Sequence, residues 1–149
     1  MRAVLSKVCS AAVSVDGTVC GKIGRGFLIL LGVTHTDTEE RCLKLADKLC
    51  SLRIFPDQNG KINLGLAEVG GEILVVSQFT LYGNCRKGRR PEFLSAARPE
   101  LAEPLYERFA ERCRENGFHT ETGRFGAHMA VDSRNDGPFT LVVDTDDLA

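Results

Sequence analysis

Ser77-Gln78-Phe79-Thr80 follows directly on Val75-Val76, so a hydroxyl, an amide, an aromatic ring and a second hydroxyl close an apolar run. A few residues on come Arg86, Lys87, Arg89 and Arg90, a local cluster of positive charge. Taken singly, each has a plain explanation: strand-end hydroxyls that satisfy nearby backbone groups, and a solvated loop. Together they set fixed polar groups and exposed backbone N–H groups beside cations suited to phosphate. A third stretch, Asn135 to Thr140 ("NDGPFT"), sets Gly137-Pro138 between two apolar runs. It reads as a hairpin turn, and a Gly–Pro bond is also one of the few that adopt cis, as ~5–6% of X–Pro bonds do.

Other common machinery is missing. There is no GxxxxGK[ST], the glycines of "GKIGRG" are wrongly spaced for a dinucleotide fingerprint, and neither HExxH nor GxSxG occurs. The histidines, His35, His119 and His128, are scattered and read as structural or surface groups. Cys85 stands beside Arg86 and Lys87, neighbours that lower a thiol pKa, but no histidine base is near it in sequence and it reads as an incidental loop thiol.

The 6 cysteines show no CxxC pair and no ordered spacing. They are expected to be reduced thiols, neither a disulfide framework nor a zinc site, and no metal or cofactor is expected. The N-terminal residues are too interrupted for a signal peptide. The longest apolar run, Phe27 to Val33, falls far below the ~20 residues of a membrane helix. A cytoplasmic protein without a membrane partner is the expectation. The net charge of −1 excludes a generally polybasic chain, so any affinity for nucleic acid has to be local to residues 86–90.

A chain of 149 residues, 43% of them hydrophobic, is enough for one domain with a real core. "VLSKV", "AAVSV" and "TVCGKIG" read as strands, the last two joined by a turn at Asp16-Gly17. "GFLILLGV" reads as a strand buried on both faces. From Thr36 to Leu52 the apolar residues Cys42, Leu45, Ala46, Leu49 and Leu52 form a helical stripe, with Thr36 and Glu39 as its capping box. Two short strands flank the turn at Asp57–Gly60, and "GGEILVVSQFTL" is the next strand. Leu101, Leu105, Phe109 and Cys113 mark a second helix, in which Pro104 belongs to the first turn at most. "AHMAVDS" and "FTLVVD" read as strands around the turn "RNDGP". The expected fold is α+β: a mixed or antiparallel sheet, or partial β-barrel, with two helices packed on it, as a single domain over 1–149.

"SQFTL" at 77–81 together with "NDGPFTL" at 135–141 resembles the D-aminoacyl-tRNA deacylases, which proofread chirality. The similarity extends through "AAVSVDG", "GRG", "LRIFPDQNGKINL", "GGEILVVSQFTL", "KGRRP", "AEPLYERF" and "ETGRFGAHM", nearly the whole chain. It implies a homodimer that hydrolyses the ester between a D-amino acid, or glycine, and the terminal adenosine of tRNA. It also implies that Ser77, Gln78, Phe79 and Thr80 form the catalytic floor, while Gly137 and Pro138, with a cis bond between them, reach in from the other subunit and reject L-amino acids. Arg86, Lys87, Arg89 and Arg90 are the expected tRNA-binding residues. No side-chain nucleophile is implied; backbone N–H groups near Phe79 and Thr80 would hold the oxyanion, with the substrate's 2′-hydroxyl assisting water.

The chain departs from that pattern in places. Lys7 stands where the family has an arginine that braces the Gly-Pro loop, and an ammonium cannot copy a forked guanidinium. Phe139 replaces a valine and is similar to a sister branch, with the proline in trans, that removes L-alanine from mischarged threonine tRNA. His128 replaces an aspartate. That sister branch lacks the SQFT sequence, so D-specific proofreading is the first reading, with L-alanine editing and a non-catalytic nucleic-acid-binding module as alternatives.

Overall fold

Alternating burial over Arg2–Val15 makes one long strand, β1, rather than the two strands its sequence suggests. In the computed structural model, which describes residues 1–149, the alternation changes phase at Cys9-Ser10. There β1 bulges against its neighbour and continues. Asp16 and Gly17, both at positive φ (49° and 79°), turn the chain into β2 (Thr18–Ile23), the left-handed pair that a tight hairpin demands. β3 (Gly26–Gly32) is almost wholly buried.

Helix α1 (Glu39–Cys50) is capped by Thr38, whose hydroxyl accepts from the Arg41 N–H at 3.3 Å. Thr36 is not the cap. Asp37 accepts from the Thr34 N–H and its own N–H returns to the Thr34 carbonyl, so Thr36 is held inside that turn before the helix begins. β4 (Phe55–Pro56) and β5 (Ile62–Leu64) form a small separate hairpin. β6 (Glu72–Ser77) pairs in parallel with β3. Helix α2 (Pro99–Glu115) starts with Pro99 in its first turn, so Pro104 lies deeper than expected, on the exposed side of the helix interior.

A short strand unannounced in the sequence, β7 (Thr120–Thr122), pairs in parallel with β6. β8 (Ala130–Asp144) replaces the two final strands and the turn between them. The chain does not reverse at "RNDGP"; it runs antiparallel to β1 on both sides of that point.

The main sheet has the order β2-β1-β3-β6-β7, with β8 on the other edge of β1. It curls until β2 approaches β7: a Cβ on Gly21 would lie 2.6 Å from the Thr122 carbonyl oxygen, so only glycine permits the approach. The result is a mixed, nearly barrel-shaped sheet with both α-helices packed against it. Val8, Val13, Ile23, Leu28, Leu74 and Val76 fill the curl, while Leu5, Ile29, Ile73 and Val75 pack the opposite face with Leu45, Leu49 and Phe109 of the helices. No helix is long and apolar enough to cross a membrane.

Candidate active site

β6 carries its polar residues to the end of a strand whose four preceding side chains, Ile73 to Val76, are buried. The Gln78 N–H still bonds to the Leu31 carbonyl at 2.8 Å; then the chain breaks into a 3₁₀ turn over Phe79–Tyr82. Gly32 makes room for that turn, since a Cβ there would stand 3.0 Å from Leu81 Cβ and 3.2 Å from the Gln78 carbonyl oxygen. The Gln78 side-chain amide donates to the Thr80 hydroxyl. Beneath, the Tyr106 hydroxyl lies 3.1 Å from the Val75 carbonyl and 3.3 Å from that of Gly123. Burial pushes the Tyr106 phenol up to about 12, so it remains a donor at neutral pH.

The backbone N–H groups of Phe79 and Thr80 donate to no other group of the chain. They are the leading donors of the turn, which a helical turn cannot satisfy internally. Beside them opens a cavity of about 590 Å³, within the range of small-molecule sites. Ser77, Gln78 and Phe79 line it; Thr80 holds Gln78 from behind and is not part of the wall. The opposite wall comes from the start of α2 (Arg98, Pro99, Ala102) and from Phe125 to Met129. The lining is mostly apolar, with polar side chains at the end of β6 (Ser77, Gln78), at the start of α2 (Arg98) and at His128.

Arg86, Lys87, Arg89 and Arg90 stand exposed on a loop outside the cavity walls, and none forms an ion pair within the chain. Their loop is closed at its base by the Asn84–Glu92 bridge. Cys85 is an exposed free thiol on that loop.

Gly137 and Pro138 are exposed, do not line the cavity, and are joined by a cis bond. They sit in an outward bulge of β8. Ser6 pairs with Thr140 and Val8 with Asn135, so residues 136–139 all face the single residue Lys7. The Asn135 side chain spans the bulge: its carbonyl accepts from the Phe139 N–H at 2.8 Å and its amide donates to the Thr140 hydroxyl at 2.9 Å. Lys7 is 8% exposed, and its ammonium lies 5.3 Å from the Phe139 ring centre and 5.9 Å from that of Phe55. Two of the departures from the family pattern therefore meet: the cation rests between aromatic rings, as cation–π attraction favours.

His128, unassigned from the sequence, lines the cavity, as do Phe93 and Phe125. Residues 4–144 match the family described as D-Tyr-tRNA(Tyr) deacylase. The chain belongs to that family. It is 55% identical over 145 residues to the D-aminoacyl-tRNA deacylase of Thermus aquaticus, covering 97% of this chain and 95% of that one. It is 53% identical over 149 residues to the D-aminoacyl-tRNA deacylase of Geobacillus sp. strain WCH70, covering 100% and 98%. Among solved structures it superposes on the c-Myc DNA unwinding element binding protein with TM-score 0.89 at 38% identity, over 97% of this chain and 98% of the other. It also shares the fold of a probable eukaryotic D-amino acid tRNA deacylase, with TM-score 0.80 at 21% identity over 95% and 97%.

Proposed function

We infer that this chain hydrolyses the ester joining a D-amino acid to tRNA, releasing the free amino acid and tRNA. The family and its D-aminoacyl-tRNA deacylase relatives support the activity. We propose that the end of β6 performs it. The observation that carries this assignment is the pair of unpartnered N–H groups at Phe79 and Thr80 beside the cavity. As water attacks the ester carbonyl, its oxygen gains charge. Donors fixed in advance stabilise that charge without having to reorganise, and one such donor is typically worth ~3 kcal/mol. Ser77 and Gln78 orient the bound ester, and the neighbouring 2′-hydroxyl of the substrate assists the water. An aminoacyl ester is already activated, so positioning and these donors suffice without a nucleophilic side chain.

Two features support a homodimer. β8 is an edge strand of 15 residues paired on one side only and exposed over most of its length, including Val142 at 68%. An edge that long invites pairing with another chain. Gly137 and Pro138 are also exposed and line no part of their own chain's cavity. In the proposed arrangement they enter the partner subunit's cavity, where their main-chain atoms occupy the space an L side chain needs. Such a filter acts by clash, so it admits many D side chains and also glycine. Arg86, Lys87, Arg89 and Arg90 hold tRNA phosphates, and the cytoplasm, where aminoacyl-tRNA is used, is the place of action.

The test is an ester-hydrolysis assay on matched D-, L- and glycyl-tRNA. D- and glycyl-tRNA should be cleaved and L-forms spared. L-alanyl-tRNA cleaved as fast as its D-form would establish the sister activity instead. The likeness to a DNA unwinding element binding protein favours one further reading, nucleic-acid binding without catalysis; it predicts binding through residues 86–90 and no hydrolysis of any ester.

A further inference from the structure

We propose that Phe93 is a positioning residue that ties the cationic loop to the turn carrying the oxyanion donors. The proposal rests on the hydrolytic reading above and extends it to a residue outside the SQFT segment.

The loop that bears Arg86 to Arg90 is closed by paired backbone bonds, Asn84 N–H to the Glu92 carbonyl at 2.8 Å and the reverse at 3.0 Å. The side chains of Asn84 and Glu92 brace this closure, accepting from the N–H groups of Arg86 and Leu94. Gly83 directly precedes the bridge and Phe93 directly follows it. The Phe93 ring lies against Gly83, where a Cβ would stand 3.0 Å from Phe93 Cε1 and 2.9 Å from the Thr80 carbonyl oxygen. Its ring centre is 5.1 Å from that of Phe79 at an interplanar angle of 74°, an edge-to-face pair.

The far side of Phe93 is anchored. Its carbonyl accepts from the Ala96 N–H at 3.1 Å, Ala96 bridges to Thr34, and the Ala97 N–H bonds to the Val33 carbonyl at 2.9 Å. Phe93 is thus a strut between a fixed base at the end of β3 and the 3₁₀ turn, touching the turn at Gly83 and at the Phe79 ring. Phe79 is 55% exposed and has no buried pocket of its own. Backbone bonds and the Gln78–Thr80 side-chain bond hold the turn, while the Phe93 ring packs edge-to-face on Phe79, so its loss frees Phe79, and with it the Phe79 and Thr80 N–H groups, to shift. Phosphates gripped by the cations would stiffen the Asn84–Glu92 closure and, through Phe93, the donors.

The consequence is a coupling between the loop and kcat. Hydrolysis of D-aminoacyl-tRNA should be followed for wild type, Phe93→Ala, Phe93→Tyr, the pair Arg89→Ala with Arg90→Ala, and that pair combined with Phe93→Ala. The D-aminoacyl ester of adenosine serves as a short substrate that does not reach the loop. Phe93→Ala should lower kcat on tRNA about tenfold, the scale of a lost aromatic pair, with little change in KM. Phe93→Tyr, which keeps the ring, should restore it. The arginine pair should lower kcat on tRNA only while Phe93 is present.

Strictly multiplicative kcat losses would overturn the proposal. So would a Phe93→Ala effect confined to KM and equal for tRNA and the short substrate, since the ring would then simply touch the terminal nucleoside. If Phe93→Ala melts early, Phe93→Leu replaces it, and an unchanged kcat in that variant is again an overturning result. A wild-type protein inactive on D-aminoacyl-tRNA overturns the hydrolytic reading and this one with it, and is recognised without any variant.

Discussion

The helical side of the molecule and the side formed by the end of β6 with β8 use their polar groups in opposite ways. Between the helices, Arg112 forks onto Asp47 at 2.7 and 3.0 Å, Asn116 donates to the same carboxylate, and Arg108 reaches Glu39 and Glu115. Each of these charges has its partner inside the chain. On the other side, the Phe79 and Thr80 N–H groups, four cations and one whole edge of β8 have none. A chain that builds this network between its helices can form such pairs. The unpaired region is therefore the face at which the tRNA ester and a second subunit are proposed to bind. On that view, substitutions on the open side change activity and selectivity with the fold intact, and those between the helices do the reverse.

The largest expected effect is at Gly137. Its φ of +133° suits glycine, and a Cβ would press to 3.1 Å from the Phe139 nitrogen. Gly137→Ala should push the bulge out of place without removing any core side chain. A displacement of about 1 Å at a reacting site can cost ~10²-fold in rate. Activity on D-aminoacyl-tRNA should fall by that order, or discrimination against L-esters should relax, while the melting temperature stays close to wild type. Full activity and full selectivity would remove Gly137-Pro138 from the site.

The position of this bulge shows where sequence reasoning stops. Gly137-Pro138, set between "AHMAVDS" and "FTLVVD", has the composition of a turn. Only the register against β1, which sets residues 136–139 opposite Lys7, reveals a strand that bulges and goes on. Thr36 and Thr38 are equally able to cap α1 by residue type, and the side chain of Asp37 between them decides the matter. The end of β6 is legible because a buried apolar strand and a polar tetrapeptide are both local signals. The rest of the cavity is not, because Phe93, Arg98 and Phe125 arrive from separate segments that only the parallel pairing of β3, β6 and β7 brings together.

A smaller effect is expected from the cations. If Arg89 and Arg90 each hold a phosphate, their joint replacement by alanine should weaken binding to all tRNAs alike. It should also flatten the log–log salt dependence by ~0.7–0.9 for each phosphate no longer held. Stability should not change, since neither side chain has an ion-pair partner in the chain. An unchanged slope would make residues 86–90 a solvated loop.

The smallest effect belongs to the closed side. Hydrogen bonding to Arg112, against the cost of burial, holds the Asp47 carboxyl below its ordinary range. A carboxylate whose pKa is lower folded than unfolded binds fewer protons in the native state, so it adds stability above the unfolded pKa, about 3.9, and loses it as pH falls through the folded value. Asp47→Asn removes the ionisation and weakens the fork to Arg112, which is partly exposed and correspondingly screened. Its melting temperature should lie a few degrees below wild type at neutral pH. That gap should hold down to about pH 5 and close as the wild-type carboxylate is protonated below about pH 4. Thermal melts of both proteins across that range measure it, with the D-, L- and glycyl-ester rates taken in parallel at neutral pH. Those rates should be unchanged, because Asp47 lies between the helices and does not line the cavity. A selectivity change in Asp47→Asn would mean that the two sides of the molecule are energetically linked, and the division between a self-satisfied half and an open half would fail.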